Sequence, residues 1–168
     1  DAWLKVHGKA QYNDDAYPSA CLHARLLTSA FAHAKIVSID VSGAYAVPGV
    51  KAVVTGRDSA VLTGPVLQDM PILAKDMVRY FGEPVAIVVA DEEWQAAQAV
   101  RNIKVEYQPL PVINTIEDAL AGNATLVHHG LTQYARAVPD VYPEENTNIA
   151  NRVKIRKGDI VQGWKDSA

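Results

Sequence analysis

The stretch VRYFGEPVAIVVADEEWQAAQAVRNIKVEYQPLP, residues 78–111, decides the fold of this chain. Its apolar, β-branched run from Val85 to Ala90 predicts a strand that is buried on both faces and central in a sheet. Asp91 follows in the position of a helix N-cap, ahead of an alanine-rich segment that ends near Arg101. The pattern therefore predicts strand, helix and strand, in a protein of the α+β class.

The two ends of this stretch carry further signals. From Ile103 to Tyr107, apolar residues alternate with polar ones before Pro109, as expected of a strand with one buried face. At the other end, Gly82 lies in the turn that leads into the buried strand at Pro84. We interpret Gly82 and Pro84 as structural turn residues, and glycine is required if the turn has a positive φ.

Composition limits the classes of protein to which the chain can belong. A length of 168 residues with 49% hydrophobic content predicts one core and one domain. The net charge of -3 and the lack of a basic cluster exclude nucleic acid as an expected partner. No apolar run approaches the roughly 20 residues of a membrane span, and no signal peptide pattern is present. With Cys21 as the single cysteine, we expect a cytoplasmic protein.

Alternation predicts two strands in the first quarter of the chain. Leu22, Ala24, Leu26 and Thr28 would form the dry face of the first strand, and residues 36–41 the second. Because the segment between them is short, the sequence predicts that the two strands pair antiparallel.

Shorter elements fill the rest of the first half. The polar segment from His7 to Tyr17 predicts an extended entry, and Ser42 could cap a helical turn through Ala46. Val50 to Thr55 predicts a strand, whereas residues 63–70 lack any period and are expected to form a loop.

Beyond residue 111 the pattern weakens. Thr115 lies at the start of a short predicted helix, Ile116 to Ala121. Gly122 follows this helix, in the position where a left-handed C-terminal residue is expected. Residues 128–151 are polar and aperiodic, which is typical of a functional or linking segment.

The C-terminal part has its own pattern. Apolar Val153 and Ile155 alternate with basic residues from Arg152 to Arg156, which predicts a strand. A helix should follow from Asp159 through Trp164, and the end of the chain interrupts it, so we expect a piece of a longer protein.

The residues that could carry catalytic or cofactor chemistry are few. Iron–sulfur clusters are held by several cysteine thiolates, and Cys21 is alone. Neither a phosphate-binding loop nor a GxGxxG fingerprint occurs, so the chain has no motif for independent flavin or nucleotide binding. His33 is best explained as a hydrogen-bonded structural residue, and Glu92 with Glu93 as partners of the helix dipole.

Two adjacent histidines leave one alternative open. His128 and His129 are best explained as a solvated loop pair, since they have no metal-ligand spacing. A small hydrolase using either histidine with Glu144 or Glu145 is the rival hypothesis, but nothing in the sequence fixes their geometry.

Six blocks in matching order carry a resemblance to a known family. They are GKAQYNDD from Gly8, SAFAHAKIVSID from Ser29, PGVKAVVTGRD from Pro48, LAKDMVRYFGEPVAIVVA from Leu73, VEYQPLPVI from Val105 and KGD from Lys157. The chain resembles the N-terminal α/β hammerhead domain of the molybdopterin-binding large subunit of the xanthine dehydrogenase and aldehyde oxidase family, the molybdenum hydroxylases.

The resemblance implies an α+β fold with a mixed sheet and two or three short helices. It implies a hammerhead core over residues 1–127, a polar connecting segment over 128–151, and a closing strand and helix start over 152–168. The domain would pack on the molybdopterin-binding domains of the same subunit, without catalytic, cofactor-binding or metal-binding residues of its own. The parent enzyme would hold molybdopterin with molybdenum, [2Fe-2S] clusters and FAD, with iron–sulfur and FAD subunits or domains as partners.

The resemblance also assigns a position to the predicted loop. Val66, Leu67, Gln68 and Asp69 correspond to a segment that borders the substrate passage, although Val66 and Leu67 could instead belong to the domain's own core. Two departures from the family are a glutamate in GEPVA, where GQPVA is frequent, and an insert between His129 and Pro143. A free-standing regulatory α+β module that binds a small molecule is the alternative.

Overall fold

The computed structural model describes residues 1–16, 18, 20–155 and 157–167, and these form two compact units. Unit 1 comprises residues 1–60 and 72–110, and unit 2 comprises residues 61–71 and 111–168. Composition predicts a single core, but apolar side chains gather in separate clusters within the two units. The predicted segment boundaries after residues 127 and 151 both lie inside unit 2.

Unit 1 contains most of the regular structure. Its elements are α1 (Ala2–Val6), β1 (His23–Thr28), β2 (Ala34–Asp40), α2 (Ser42–Tyr45), β3 (Val50–Thr55), β6 (Met77–Val78), β7 (Pro84–Ala90), α3 (Glu93–Asn102) and β8 (Lys104–Pro109), with a 3-10 turn at Asn13–Asp15. Unit 2 contains β4 (Leu62–Thr63), β5 (Met70–Pro71), α4 (Ile116–Leu120) and α5 (Ile160–Asp166), with a 3-10 turn at Leu131–Gln133.

The predicted central strand is confirmed. β7 pairs antiparallel with β1 on one side and with β3 on the other. Its inward side chains Ala86 and Val88 are fully buried and pack with Ala99 and Ile103, on and just after α3. The sheet and α3 therefore close the main core of unit 1.

The predicted pairing of the first two long strands is wrong. β1 pairs with β7, whereas β2 lies between β6 and β8 in a second antiparallel sheet. The Ser29 hydroxyl donates to the Phe31 carbonyl at 2.9 Å and accepts from the Phe31 amide at 3.0 Å. This local turn carries the chain from one sheet to the other instead of reversing it in a hairpin.

The predicted dry face of β1 is also wrong. Leu22 and Leu26 are 56% and 47% exposed, and Ala24 and Thr28 are exposed as well. Leu27 is the residue that packs against the main core. Leu26 and Leu27 are equally apolar, so alternation alone could not decide which of them faces inward.

Both predicted helix caps in unit 1 are displaced. Asp91 pairs with Lys51 at 2.8 Å, and α3 is capped one residue later, where the Glu92 amide donates to the Gln95 side chain at 3.0 Å. The turn α2 forms as predicted, but its N-cap is Val41, and the Ser42 amide donates to the Asp40 carboxylate at 2.9 Å.

The N-terminal segment is more helical than predicted. Residues 2–6 form α1, and the predicted extended entry from His7 includes a 3-10 turn, Asn13–Asp15. Tyr17, the last residue of that predicted segment, lies outside the described residues.

Unit 2 gives a mixed outcome. The Thr115 hydroxyl caps α4 as predicted, accepting from the Asp118 amide at 3.0 Å. Gly122 is not left-handed, because α4 ends in extended backbone at Ala121, with φ -61° and ψ 141°. That extended residue already turns the chain away from the helix.

The predicted strand in the C-terminal part does not form among its described residues. Val153 and Ile155 are 71% and 88% exposed and belong to no strand, and Arg156 lies outside the described residues. The helix that follows is confirmed as α5, with the Asp159 carboxylate accepting from the amides of Val161 and Gln162.

The predicted α+β class is confirmed, with differences in detail. Every described strand pair is antiparallel, in three small sheets rather than one mixed sheet. The described residues form five short α-helices rather than two or three. Among them, no helix combines the length and apolarity that crossing a membrane requires.

Candidate functional site

The stretch predicted to border a passage lies in unit 2, between β4 and β5. It is more ordered than an aperiodic loop, because Leu67 forms an antiparallel bridge with Arg136. Beside that bridge, the Gln68 amide donates to the Ala135 carbonyl at 2.9 Å. The backbone of residues 66–68 is therefore fixed against the polar segment that follows α4.

Neighbouring side chains in this stretch have opposite environments. Leu67 is 4% exposed and packs with Leu131, Val141 and Tyr134 in the apolar cluster of unit 2. Val66 is 42% exposed. Leu67 therefore has the core role that the sequence left open, whereas Val66 is available at the surface.

Asp69 belongs to a chain of polar contacts. Its carboxylate lies 3.7 Å from His128 Nε2, and His128 Nδ1 lies 3.1 Å from the Tyr134 hydroxyl. The rings of His128 and Tyr134 meet edge to face, with centroids 5.4 Å apart. The prediction of two solvated histidines is thus wrong for His128, whose side chain is 16% exposed, while His129 is exposed.

A cavity of about 280 Å³ opens beside these groups. Its lining is mostly apolar with three polar residues, and comprises Asp69, Ile113, Ala119, Val127, His128, Leu131, Asn148 and Ala150. A concave apolar surface with a few polar groups is the usual form of a small-molecule site. Such a cavity could take a small molecule that has an apolar body and a hydrogen-bond donor directed at Asp69.

Asn148 fixes one wall of that cavity. Its side-chain oxygen accepts from the Val127 amide at 2.9 Å, and its side-chain nitrogen donates to the carbonyls of Thr125 and Ala119 at 3.0 and 3.3 Å. Sequence reasoning missed Asn148, Tyr134 and the partnership of Asp69 with His128. Their contacts join residues far apart in the chain, so no local pattern could reveal them.

A second, smaller cavity of about 140 Å³ also borders Asp69. Pro65, Val66, Leu67, Ala150 and Asn151 complete its lining. Three of the four predicted passage residues, all but Gln68, thus line at least one of the two cavities.

The rival hydrolase constellation finds no support in this geometry. Glu144 binds the Arg152 side chain at 2.7 Å, and this hydrogen bond lowers the pKa of the Glu144 carboxyl. A lowered pKa weakens a carboxylate as a general base. Glu145 is exposed, and His128 is engaged with Asp69 and Tyr134.

The turn before β7 lies in unit 1. Gly82 has φ +85°, a conformation that side chains with a Cβ disfavour, and its amide donates to the Ser29 carbonyl at 2.9 Å. Pro84 begins β7 opposite Thr28. Beside it, Glu83 is 2% exposed and accepts a hydrogen bond from the Arg79 amide, and burial raises the pKa of the Glu83 carboxyl.

The potential metal ligands of the chain are scattered. In the part of the chain that the structure describes, no group of three or more histidine, cysteine, aspartate or glutamate side chains is placed to hold a metal ion. His33 is buried in unit 1, where its carbonyl accepts from the Leu110 amide at 3.0 Å.

Comparison with known proteins identifies the family. Residues 7–111 match the family described as aldehyde oxidase and xanthine dehydrogenase, a/b hammerhead domain. The chain is 36% identical over 165 residues to a probable xanthine dehydrogenase subunit of Bacillus subtilis, covering 97% of this chain and 20% of that protein.

Solved structures agree in fold. Quinoline 2-oxidoreductase from Pseudomonas putida 86 matches with a TM-score of 0.66 and 41% identity, over 73% of this chain and 17% of that one. Aldehyde oxidoreductase from Desulfovibrio gigas matches with a TM-score of 0.68 and 32% identity, over 84% and 16%. The chain spans at most a fifth of the length of these relatives. It belongs to the aldehyde oxidase and xanthine dehydrogenase family, in which it matches the a/b hammerhead domain.

Proposed function

We propose that this chain is the structural and interface domain of a molybdenum-dependent oxidoreductase of the xanthine dehydrogenase type. The parent enzyme hydroxylates an aldehyde carbon or a ring carbon next to nitrogen, taking oxygen from water and passing electrons to iron–sulfur clusters and FAD. The family match over residues 7–111 carries this proposal. It also favours this function over a free-standing regulatory module.

The cofactors of such an enzyme do not fit the residues of this chain. Cys21 is the single cysteine, too few for an iron–sulfur cluster, and the sequence lacks a phosphate-binding loop for FAD or molybdopterin. We assign these cofactors, and the catalytic residues, to the molybdopterin-binding domains and to iron–sulfur and FAD subunits or domains. We place the parent enzyme in the cytoplasm, where a free thiol such as that of Cys21 persists.

In the parent enzyme, this domain contributes to the substrate passage. The residues that border the passage are Val66, Leu67, Gln68 and Asp69. Val66 presents an exposed apolar surface, and Asp69 presents a carboxylate next to two cavities. Leu67 contributes by holding the stretch in place, because it is buried in the cluster of unit 2. A passage with these walls suits a substrate that has an apolar body and a hydrogen-bond donor directed at Asp69.

The test uses the natural gene product that contains this sequence, assayed with aldehydes and nitrogen heterocycles. Val66→Ala should raise KM about three- to tenfold and leave kcat nearly unchanged, because an exposed apolar contact binds ground and transition states alike. Leu67→Ala is the matched control. It should reduce the amount of folded enzyme, and the enzyme that does fold should have a normal KM. A Val66→Ala enzyme with unchanged KM on every oxidised substrate would remove Val66 from the passage.

A further inference from the structure

The sheet of β1, β7 and β3 has a second face, opposite the main core of unit 1. Side chains alternate between the faces of a strand, so residues paired across strands share a face. The rows that contain Ala86 and Val88 face the core. The rows of Ile87 and Val89, which alternate with these along β7, define what we call the outer face: Leu26, Ile87 and Val54, and Ala24, Val89 and Ala52.

No residue of this outer face is fully buried. Leu26 is 47% exposed, Ala24 is exposed, and the two side chains from β7, Ile87 and Val89, are half-buried. The sequence of β7 is nevertheless apolar at every position, the composition of a strand that is covered on both faces. The described residues of unit 1 therefore supply a packing layer for the core face of β7 and none for the outer face.

The chemistry of the outer face points to permanent burial. All six of its side chains are aliphatic, and no charged or hydrogen-bonding group interrupts them. An antiparallel sheet whose second face stays in water usually carries polar side chains on that face. A permanent interface, in contrast, resembles a domain core that has been cut in half.

We propose that the outer face packs against an apolar surface elsewhere in the same large subunit. This proposal rests on the proposed function and assigns the interface to a particular face of the domain. The match to the Bacillus subtilis protein favours this occupant over a second copy of the chain. It covers 97% of this chain but 20% of that protein, so most of the related polypeptide lies outside the matched region.

Cysteine labelling distinguishes the two occupants. Leu26→Cys is introduced into the 168-residue chain and into the natural gene product, with Val37→Cys as a matched control that is 51% exposed on β2. Cleavage after Arg25 separates position 26 from the native Cys21, so mass spectrometry follows each thiol. Ala52→Cys, a smaller change on the same face, replaces Leu26→Cys if that variant fails to fold.

In the 168-residue chain, maleimide should modify positions 26 and 37 at similar rates at every protein concentration. In the natural gene product, the rate at position 26 relative to position 37 should fall about tenfold or more. The proposal would be overturned if the ratio of the two labelling rates were the same in the natural gene product as in the 168-residue chain. It would also be overturned if position 26 of the 168-residue chain became protected as the protein concentration rises, since that would indicate that a second copy covers the face. Molybdenum analysis of the same preparation tests the proposed function separately, since the absence of molybdenum would not alter the ratio of the labelling rates at positions 26 and 37.

Discussion

Unit 1 and unit 2 are held together by different kinds of interaction. In unit 1, β7 forms continuous backbone ladders with two strands, and the ten-residue helix α3 covers the sheet. In unit 2, the β4–β5 pair has two residues per strand, and side chains such as Asn148 and Thr115 hold the backbone in place. Stability is therefore spread over many equivalent contacts in unit 1 and concentrated in a few side chains in unit 2.

The largest expected effect tests this concentration in unit 2. Leu67→Ala removes one of three buried members of its apolar cluster, and should cost about 2–5 kcal/mol of stability. Hydrogen exchange at the amides of Leu131 and Val141 should accelerate accordingly. Val66→Ala, on the exposed neighbouring side chain, should change stability by less than about 0.5 kcal/mol. Equal effects of the two substitutions would show that unit 2 does not depend on this cluster.

A smaller effect is expected at the turn that precedes β7 in unit 1. Gly82 has φ +85°, and a Cβ there would meet no atom within 4 Å, so the cost of a side chain is backbone strain alone. Gly82→Val should lower stability by about 1–3 kcal/mol, and Gly82→Asn by less, because asparagine tolerates this conformation.

Gly122→Ala provides the matched glycine control for that turn. Gly122 is not left-handed, and a Cβ added there would also meet open space. The melting temperature of the Gly122→Ala variant should therefore stay near that of the parent chain. A Gly82→Val variant as stable as Gly122→Ala would show that the turn does not need a positive φ.

The smallest effect depends on pH and concerns the buried carboxyl of unit 1. Burial raises the pKa of Glu83 above its ordinary value of 4.5, so its contribution to stability is complete below pH 4.5 and is lost as pH rises through the higher folded pKa. Glu83→Gln removes this loss and keeps an oxygen that can accept from the Arg79 amide. The melting temperature of Glu83→Gln relative to the parent should therefore increase between about pH 4 and pH 8.

Glu106→Gln, which removes an exposed carboxylate from β8, controls for the lost negative charge. If the melting-temperature difference between Glu83→Gln and the parent were constant with pH, Glu83 would not be a source of pH-dependent stability in unit 1.

The same contrast explains how much could be predicted from the sequence. The core strand Val85–Ala90, the helix after it and the Thr115 cap depend on neighbours in the chain, and the structure confirms them. The partners of β1 depend on contacts between distant residues, so a rule based on short connections failed. Apolar type alone also could not choose between Leu26 and Leu27.

The contacts of the candidate site were even harder to predict from the sequence than the strand pairing. The family resemblance points to residues 66–69, but no pattern indicates that Leu67 is buried and Val66 exposed. The contact between Asp69 and His128 joins two segments that are separated by all of β7, α3 and β8 in the sequence. Such contacts follow from tertiary folding and leave no periodic signal.

Molybdenum analysis tests the central claim, that this domain serves a molybdenum enzyme without holding its cofactor. The metal content of the purified 168-residue chain is compared with that of the natural gene product, both expressed in cells that make molybdopterin. We expect stoichiometric molybdenum in the natural product and none in the chain, because Cys21 and the described carboxylates and histidines form no metal site. Stoichiometric molybdenum in the isolated chain, or none in the natural product, would contradict it.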